Sequence, residues 1–215
     1  MTDQYEKKQY QRGYKYIIGC DEVGRGSLAG PVVACAVIME HKTWNMKQKI
    51  RDSKLLNPNT REELSKIIRK HARWSIGIVS QNTIDEINIH NATLLAMQRA
   101  VKGLTLSLDS SAQDTLVRDD NNGLFIAVDG RFIIPNLDVP QEAIIDGDNK
   151  VLSIAAASII AKVYRDRIMT EHHQNFPLYN FAQHKGYGTL YHRQMIINHG
   201  LSPLHRLSFC EDIAV

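Results

Sequence analysis

This chain contains no CxxC pair, no uninterrupted run of about 18 apolar residues, and no aspartate or glutamate at all from His172 to Cys210. Each absence excludes something. Without paired cysteine spacing, Cys20, Cys35 and Cys210 cannot all be bridged, so a secreted disulfide framework is set aside and a reducing, cytoplasmic setting is expected. Without a long apolar run there is no candidate spanning helix, and the N-terminal MTDQYEKKQYQRGYKYIIG has no apolar segment of the signal-peptide kind. A soluble protein without membrane partners is expected. At 215 residues, 43% of them hydrophobic, the chain can bury a sizeable core and needs no staples.

The missing acids give the last third of the chain a basic character that the formal charge of +3 understates. Between His172 and Cys210, Lys185, Arg193, Arg206 and six histidines alternate with Phe176, Tyr179, Phe181, Tyr187 and Tyr191. A second basic stretch, KTWNMKQKIRDSK, runs from Lys42 to Lys54. Basic residues interleaved with aromatics suit a polyanion whose sugars or bases can stack, although a solvated face has the same composition.

What is present reads as an α/β chain. KYIIGCDE and PVVACAVIM are short, β-branched apolar runs on either side of a glycine-rich turn, and predict a hairpin-like strand pair. Thr60 to Glu63 forms a capping box before Leu64, Ile67 and Ile68, predicting a helix over about 60–71. Trp74, Ile76 and Ile78 alternate as in a half-buried strand. A mainly helical pattern from Thr83 to Gly103 offers Ile84, Ile87, Leu94, Leu95 and Met97 to a core, and a polar stretch from about 107 to 123 reads as a surface loop. LFIAVDG predicts a buried strand ending at Asp129. A long helix is expected over about 151–173, its Ala155, Ala156, Ala157, Ser158 and Ala161 small enough to approach a sheet closely. Another should run from Leu190 to about Asn198, closed by Gly200. The expected architecture is a mixed sheet flanked by helices in residues 1–173, with a mostly helical appendage over 174–215.

Carboxylates gather where strands should end: Asp21 and Glu22 in YIIGCDEVGRG, Asp129 in LFIAVDG and Asp148 in AIIDGDNK. Asp129-Gly130 is also a common turn and Asp148 a plausible helix cap. Asp21 and Glu22 are harder to explain structurally, because two charges beside an apolar strand repel unless a cation joins them. Successive strand residues face opposite ways, so both can converge only if the chain bends near Glu22. Asp166 follows Lys162 by four residues and reads as its helical ion-pair partner.

The turn Gly24-Arg25-Gly26 loosely imitates a dinucleotide fingerprint, but Pro31 leads into an apparent strand where that motif requires a helix. A backbone-donor loop that grips a phosphodiester beside the carboxylates fits better. The histidines follow no metal-ligand spacing, and most read as surface or groove residues. An oxygen-only ligand set calls for Mg²⁺ or Mn²⁺.

Taken in order, GCDEVGRGSLAGPVVACAVI, DSK at 52–54, VDG at 128–130, GD at 147–148, SIAAASIIAKVYRDRIM, KGYGT at 185–189 and HRLSF at 205–209 resemble the ribonuclease HII family. The resemblance implies an RNase H-like fold and an endonuclease that cuts RNA in RNA/DNA hybrids, or 5′ of a ribonucleotide in duplex DNA. It also implies Asp21, Glu22, Asp129 and Asp148 as catalytic metal ligands. Gly24, Arg25 and Gly26 would hold the backbone at the RNA-to-DNA step, Tyr187 would stack on the sugar there, and Lys54 would contact a phosphate. Leu55 departs from the family, which usually has a second lysine after DSK. Two divalent ions would then activate water and stabilise the leaving oxygen, giving 3′-hydroxyl and 5′-phosphate ends. A monomer is expected. The tail CEDIAV offers no evident clamp-binding motif, which leaves a replication-clamp partner open.

Overall fold

The structure, a computed structural model, describes residues 4–39, 50, 57–110 and 123–213. Lys54, the rest of DSK and Leu55 lie outside the described residues, as do the charged residues of the second basic stretch.

After a short helix, α1 (Gln4–Gln11), the chain enters β1 (Tyr16–Val23) and returns antiparallel in β2 (Val32–Met39), the hairpin pair expected from the two apolar runs. Helix α2 (Pro58–His71) leads into β3 (Ala72–Val79), antiparallel to β2. Then come α3 (Gln81–Ser110) and β4 (Leu124–Asp129), with β5 (Gln141–Ile144) beside it. The sheet order is β3-β2-β1-β4-β5, and β1, β4 and β5 run parallel.

Both faces of this sheet are covered, so its central strands are apolar almost throughout. Ile18, Cys20, Ala34, Ala36, Ile126 and Val128 pack on Ile84, Ala96, Met97 and Ala100 of α3. On the opposite face Cys35, Val37 and Met39 meet Leu64 and Ile68 of α2 and the helix α5 (Leu152–Asn175). Each fully buried Val, Leu, Ile or Met side chain among them stabilises the fold by about 1.5–3 kcal/mol.

Helix ends depart from the sequence expectations in two places. Helix α2 starts earlier than the Thr60 capping box implies. Asn57 is its cap, with Oδ1 accepting from the Thr60 amide at 3.0 Å and Pro58 filling the first turn. Helix α3 extends to Ser110 but breaks at Asn88 (φ 65°), whose side chain accepts from the Asn91 amide and so restarts the helix. The loop expected from about 107 therefore begins later, and residues 111–122 lie outside the described set.

Helix α5 positions the site. Its N-cap, Val151, offers no side-chain acceptor; the buried Glu6 of α1 supplies one, Oε1 accepting from the Ser153 amide at 3.0 Å and hydroxyl at 3.2 Å. The small residues Ala155, Ala156, Ala157 and Ala161 are buried against the sheet as expected. The approach is close enough that a β-carbon on Gly19 would sit 2.1 Å from the Ser153 carbonyl carbon.

Beyond α5 the chain winds through a 3₁₀ turn (Pro177–Tyr179), α6 (Phe181–His184), α7 (Leu190–His199) and α8 (Leu207–Cys210). Its own small core joins Tyr179, Phe181, Ile196, Leu204 and Cys210 to Leu28, Ala29 and Met169. Among the described residues no helix is long and apolar enough to cross a membrane. The one-turn helix α4 (Gly147–Lys150) lies between β5 and α5.

Candidate active site

Because β1, β4 and β5 are parallel, their C-terminal ends open on the same edge of the sheet. The register that pairs Cys20 with Val128 sets Asp21 beside Asp129, and both face α5, as do Gly19 and Ala127 two residues earlier. Carboxylate oxygens of Asp21, Glu22 and Asp129 lie within 4.8 Å of one another. Glu22 pairs with Ala34 inside the ladder, so β1 continues to Val23 and does not end at the acids. The Glu22 carboxylate nonetheless comes together with the other two.

Asp21 is 5% exposed, and burial, with Glu22 and Asp129 beside it, pushes its carboxyl well above the usual range. Hydrogen bonds from the Ser158 hydroxyl and the Glu22 amide, the latter at 2.7 Å, oppose that only partly. Glu22 is also pushed up by burial, while Arg25, 3.3 Å from its Oε1, acts in the other direction. Three all-oxygen ligands clustered at such electrostatic cost fit a hard divalent cation, which would remove the repulsion. Asp148 does not belong to this group of three. It lies on α4, four residues past the end of β5, next to Gly147, whose amide donates to Asp129 Oδ1 at 2.7 Å.

Three loops meet beside the carboxylates. The turn after β1 leads directly into strand β2, so the helix required for dinucleotide binding is missing at that place. Ser27 pairs with Tyr187 and Ala29 with His205, while the amides of Leu28 and Ala29 donate to Gly186 O. Gly24 (φ +94°) leaves room for Arg165, whose Nε would lie 2.1 Å from a β-carbon there. Lys162 and Arg165 of α5 stand 5.6 Å and 5.5 Å from the Tyr187 ring centroid, and Lys162 pairs with Asp166 at 2.7 Å, as its i,i+4 spacing predicted.

The basic, aromatic C-terminal stretch is built differently from the expectation. His184, His192 and His205 are buried, as are Tyr179 and Phe181. His184 stacks on His192, and Phe181 meets all three imidazoles. The interleaving is largely an internal aromatic core, while Tyr187 lies on the loop that pairs with Ser27.

The profile of the family described as Ribonuclease HII matches residues 18–212. A Ribonuclease HII of Caldicellulosiruptor saccharolyticus is 44% identical over 209 residues, which cover 97% of this chain and 93% of that protein. The chain belongs to the ribonuclease HII family. It is accordingly an RNase H-type nuclease, a hydrolase of phosphodiester bonds. The RNase HII of Archaeoglobus fulgidus, solved in complex with PCNA, is 25% identical with a TM-score of 0.67, covering 91% of this chain and 94% of that one. Bst-RNase HIII, solved in complex with Mn²⁺, shares 18% identity with a TM-score of 0.70, covering 95% and 72% respectively. That likeness establishes the RNase H-like fold.

Sequence reasoning passed over Ser158, Lys162, Arg165 and Arg206. The first three recur at i, i+4 and i+7 and so share one face of α5, a signal available in the sequence. Arg206 stands in the HRLSF stretch, but its partners lie about 180 residues away, so spacing does not show what it holds.

Proposed function

We propose that this chain hydrolyses the RNA strand of RNA/DNA hybrids and cuts 5′ of ribonucleotides embedded in duplex DNA, leaving 3′-hydroxyl and 5′-phosphate ends. It would act as a monomeric cytoplasmic enzyme, with residues 1–173 as catalytic domain and 174–215 as the appendage that grips substrate. The observation that carries the reading is the convergence of Asp21, Glu22 and Asp129 at the edge where the Gly24–Gly26 and Tyr187 loops also meet.

Asp21, Glu22 and Asp129 would hold Mg²⁺ or Mn²⁺, with Asp148 joining them from α4. Bound there, two such ions supply an activated water and charge stabilisation for the departing 3′ oxygen. The chain's own residues do the rest. Ser158 and the Glu22 amide orient the Asp21 carboxylate, and the Gly147 amide orients Asp129. Arg25 pairs with Glu22 here; once Glu22 turns to a cation, its guanidinium is free for a phosphate. Gly26 supports a substrate role in another way. A β-carbon there would meet no atom of the described residues within 4 Å, and its φ is not positive, so nothing in the described fold requires glycine. Close passage of a nucleic-acid backbone does require it. Tyr187, half-buried and backed by Lys162 and Arg165, presents a ring suited to stack on the sugar whose 2′-hydroxyl marks RNA. Lys54 would add a phosphate contact.

The test is incubation of the purified protein with end-labelled duplex DNA carrying one ribonucleotide, in Mg²⁺, Mn²⁺ or EDTA, beside an all-DNA duplex. A single metal-dependent cut 5′ of the ribonucleotide is expected. Binding without cleavage under either metal would replace this reading with that of a catalytically inactive nucleic-acid binder.

A further inference from the structure

Arg165 and Arg206 are fully buried, yet among the described residues neither forms an ion pair. Buried charges are ordinarily matched by a counter-charge, because desolvating a guanidinium costs several kcal/mol. Here the match is made by carbonyl oxygens. Arg165 donates to Pro31 O at 2.9 Å, Lys185 O at 2.8 Å and Ala29 O at 3.1 Å. Arg206 donates to Gly24 O at 2.7 Å, Arg25 O at 2.8 Å and Gly30 O at 2.9 and 3.0 Å. A planar fork with five donors can hold several carbonyls at once, which neither an amide nor an ammonium does in this geometry.

The Arg206 contacts have a consequence for the peptide planes. The chain has no cis peptide among the described residues, and in a trans peptide the C=O and N–H point opposite ways. Pinning Gly24 O and Arg25 O onto Arg206 therefore turns the amides of Arg25 and Gly26, the other halves of those two peptide units, away from the interior. Both residues are exposed, and among the described residues neither amide has an acceptor. Two adjacent outward amides above a buried positive charge form an anion site.

We infer that Arg206 is a positioning residue for substrate: it holds the Arg25 and Gly26 amides aimed at a backbone phosphate of the ribonucleotide-containing strand, and Arg165 fixes the same loop against Lys185. Burial and the neighbouring Arg165 pull the Arg206 pKa down to about 9, so it stays charged at neutral pH. This inference rests on the substrate reading above and adds the atoms that would carry it.

Two measurements test it. In Arg206→Lys, which keeps the charge and loses the fork, KM for a single-ribonucleotide duplex should rise about tenfold, the effect of losing charge-assisted bonds, with kcat nearly unchanged. Mn²⁺ affinity should not move. An equal fall in kcat with KM unchanged would overturn the assignment. In the wild-type protein, which avoids any folding defect of the variant, ¹⁵N-resolved amide signals are followed while the same duplex is titrated in Ca²⁺ to hold back turnover. Both the Arg25 and Gly26 amides should shift and gain protection from exchange. Binding of the duplex with neither amide perturbed would overturn this inference alone, whereas failure of the wild type to bind would overturn the substrate reading and this inference with it.

Discussion

Nε2 of His192 lies 3.0 Å from Nε2 of His205, and the surrounding bonds decide which of them carries the proton. His205 Nδ1 accepts from the Ser202 amide at 2.8 Å, so its proton is on Nε2 and is donated to His192. His192 then has its proton on Nδ1, donated to Tyr187 O at 2.9 Å. His184 closes the set, accepting from the Gly186 amide on Nδ1 and donating from Nε2 to Tyr179 O at 2.6 Å. Three neutral imidazoles with fixed tautomers thus hold the backbone on both sides of the Tyr187 loop.

This arrangement makes stability fall in mild acid. Burial lowers the pKa of His192 and of His205 from 6.5 to about 4, with nearby His184 acting in the same direction on both. Between these values the unfolded chain binds protons that the folded chain does not, so stability falls as pH drops from about 6.5 toward 4. Thermal melting across that range should show a steep decline in the wild type and a shallower one in His192→Gln. Equal slopes would contradict the neutral network.

Asp21→Asn should melt at a higher temperature than the wild type at neutral pH in EDTA, because it removes a buried charge held beside Glu22 and Asp129. The order should reverse when Mn²⁺ is added, since binding to the native state alone stabilises the wild type. A variant less stable than the wild type in EDTA would contradict the strain assigned to the cluster.

Asp129→Asn should lower turnover by about two orders of magnitude or more, the scale of transition-state charge stabilisation. Affinity for an RNA/DNA hybrid, read by fluorescence anisotropy, should stay close to that of the wild type. Substantial residual turnover would remove Asp129 from the catalytic set.

Tyr187→Ala should reduce kcat/KM on a single-ribonucleotide duplex by roughly tenfold, within the 1–3 kcal/mol of a lost aromatic stack. Because the side chain is half-buried and the loop is held by its backbone, the melting temperature should change little. Unchanged activity on that substrate would remove Tyr187 from the junction contact.

Glu6→Ala should cost about 1 kcal/mol of stability, as loss of a helix cap does, because the Ser153 amide and hydroxyl lose their acceptor. Chemical denaturation measures it. No destabilisation would mean that burying the Glu6 carboxylate offsets what its hydrogen bonds contribute.

The strands were legible because β1, β2 and β4 are buried on both faces and so read as apolar runs, and α5 was legible from its small residues. Asp21 could be singled out because a carboxylate in an apolar strand conflicts with its surroundings, whereas Asp129, followed by a glycine, also reads as a turn. The Asn88 break was not legible, since asparagine in that backbone conformation leaves the apolar spacing of Ile84, Ile87 and Leu94 intact. Three of the histidines, His184, His192 and His205, were misjudged for a related reason. A buried imidazole is distinguished from an exposed one by partners such as Ser202 and the Tyr187 carbonyl, and these come together only in the folded chain. Asp148 sits on α4, past the end of β5, and four residues of helix give no periodicity to read.

Ser158 touches Asp21, and Arg165, seven positions on, holds the loop in front of Tyr187. Those seven residues span about 10 Å of straight helix. Whatever the loops hold is therefore kept at a set offset from the carboxylates by a rigid rod, as on a fixed gauge. On the proposed reading, where the strand is cut relative to where it is gripped would be a dimension of the scaffold, and a substitution in either loop would change how tightly the strand is held without moving the cut.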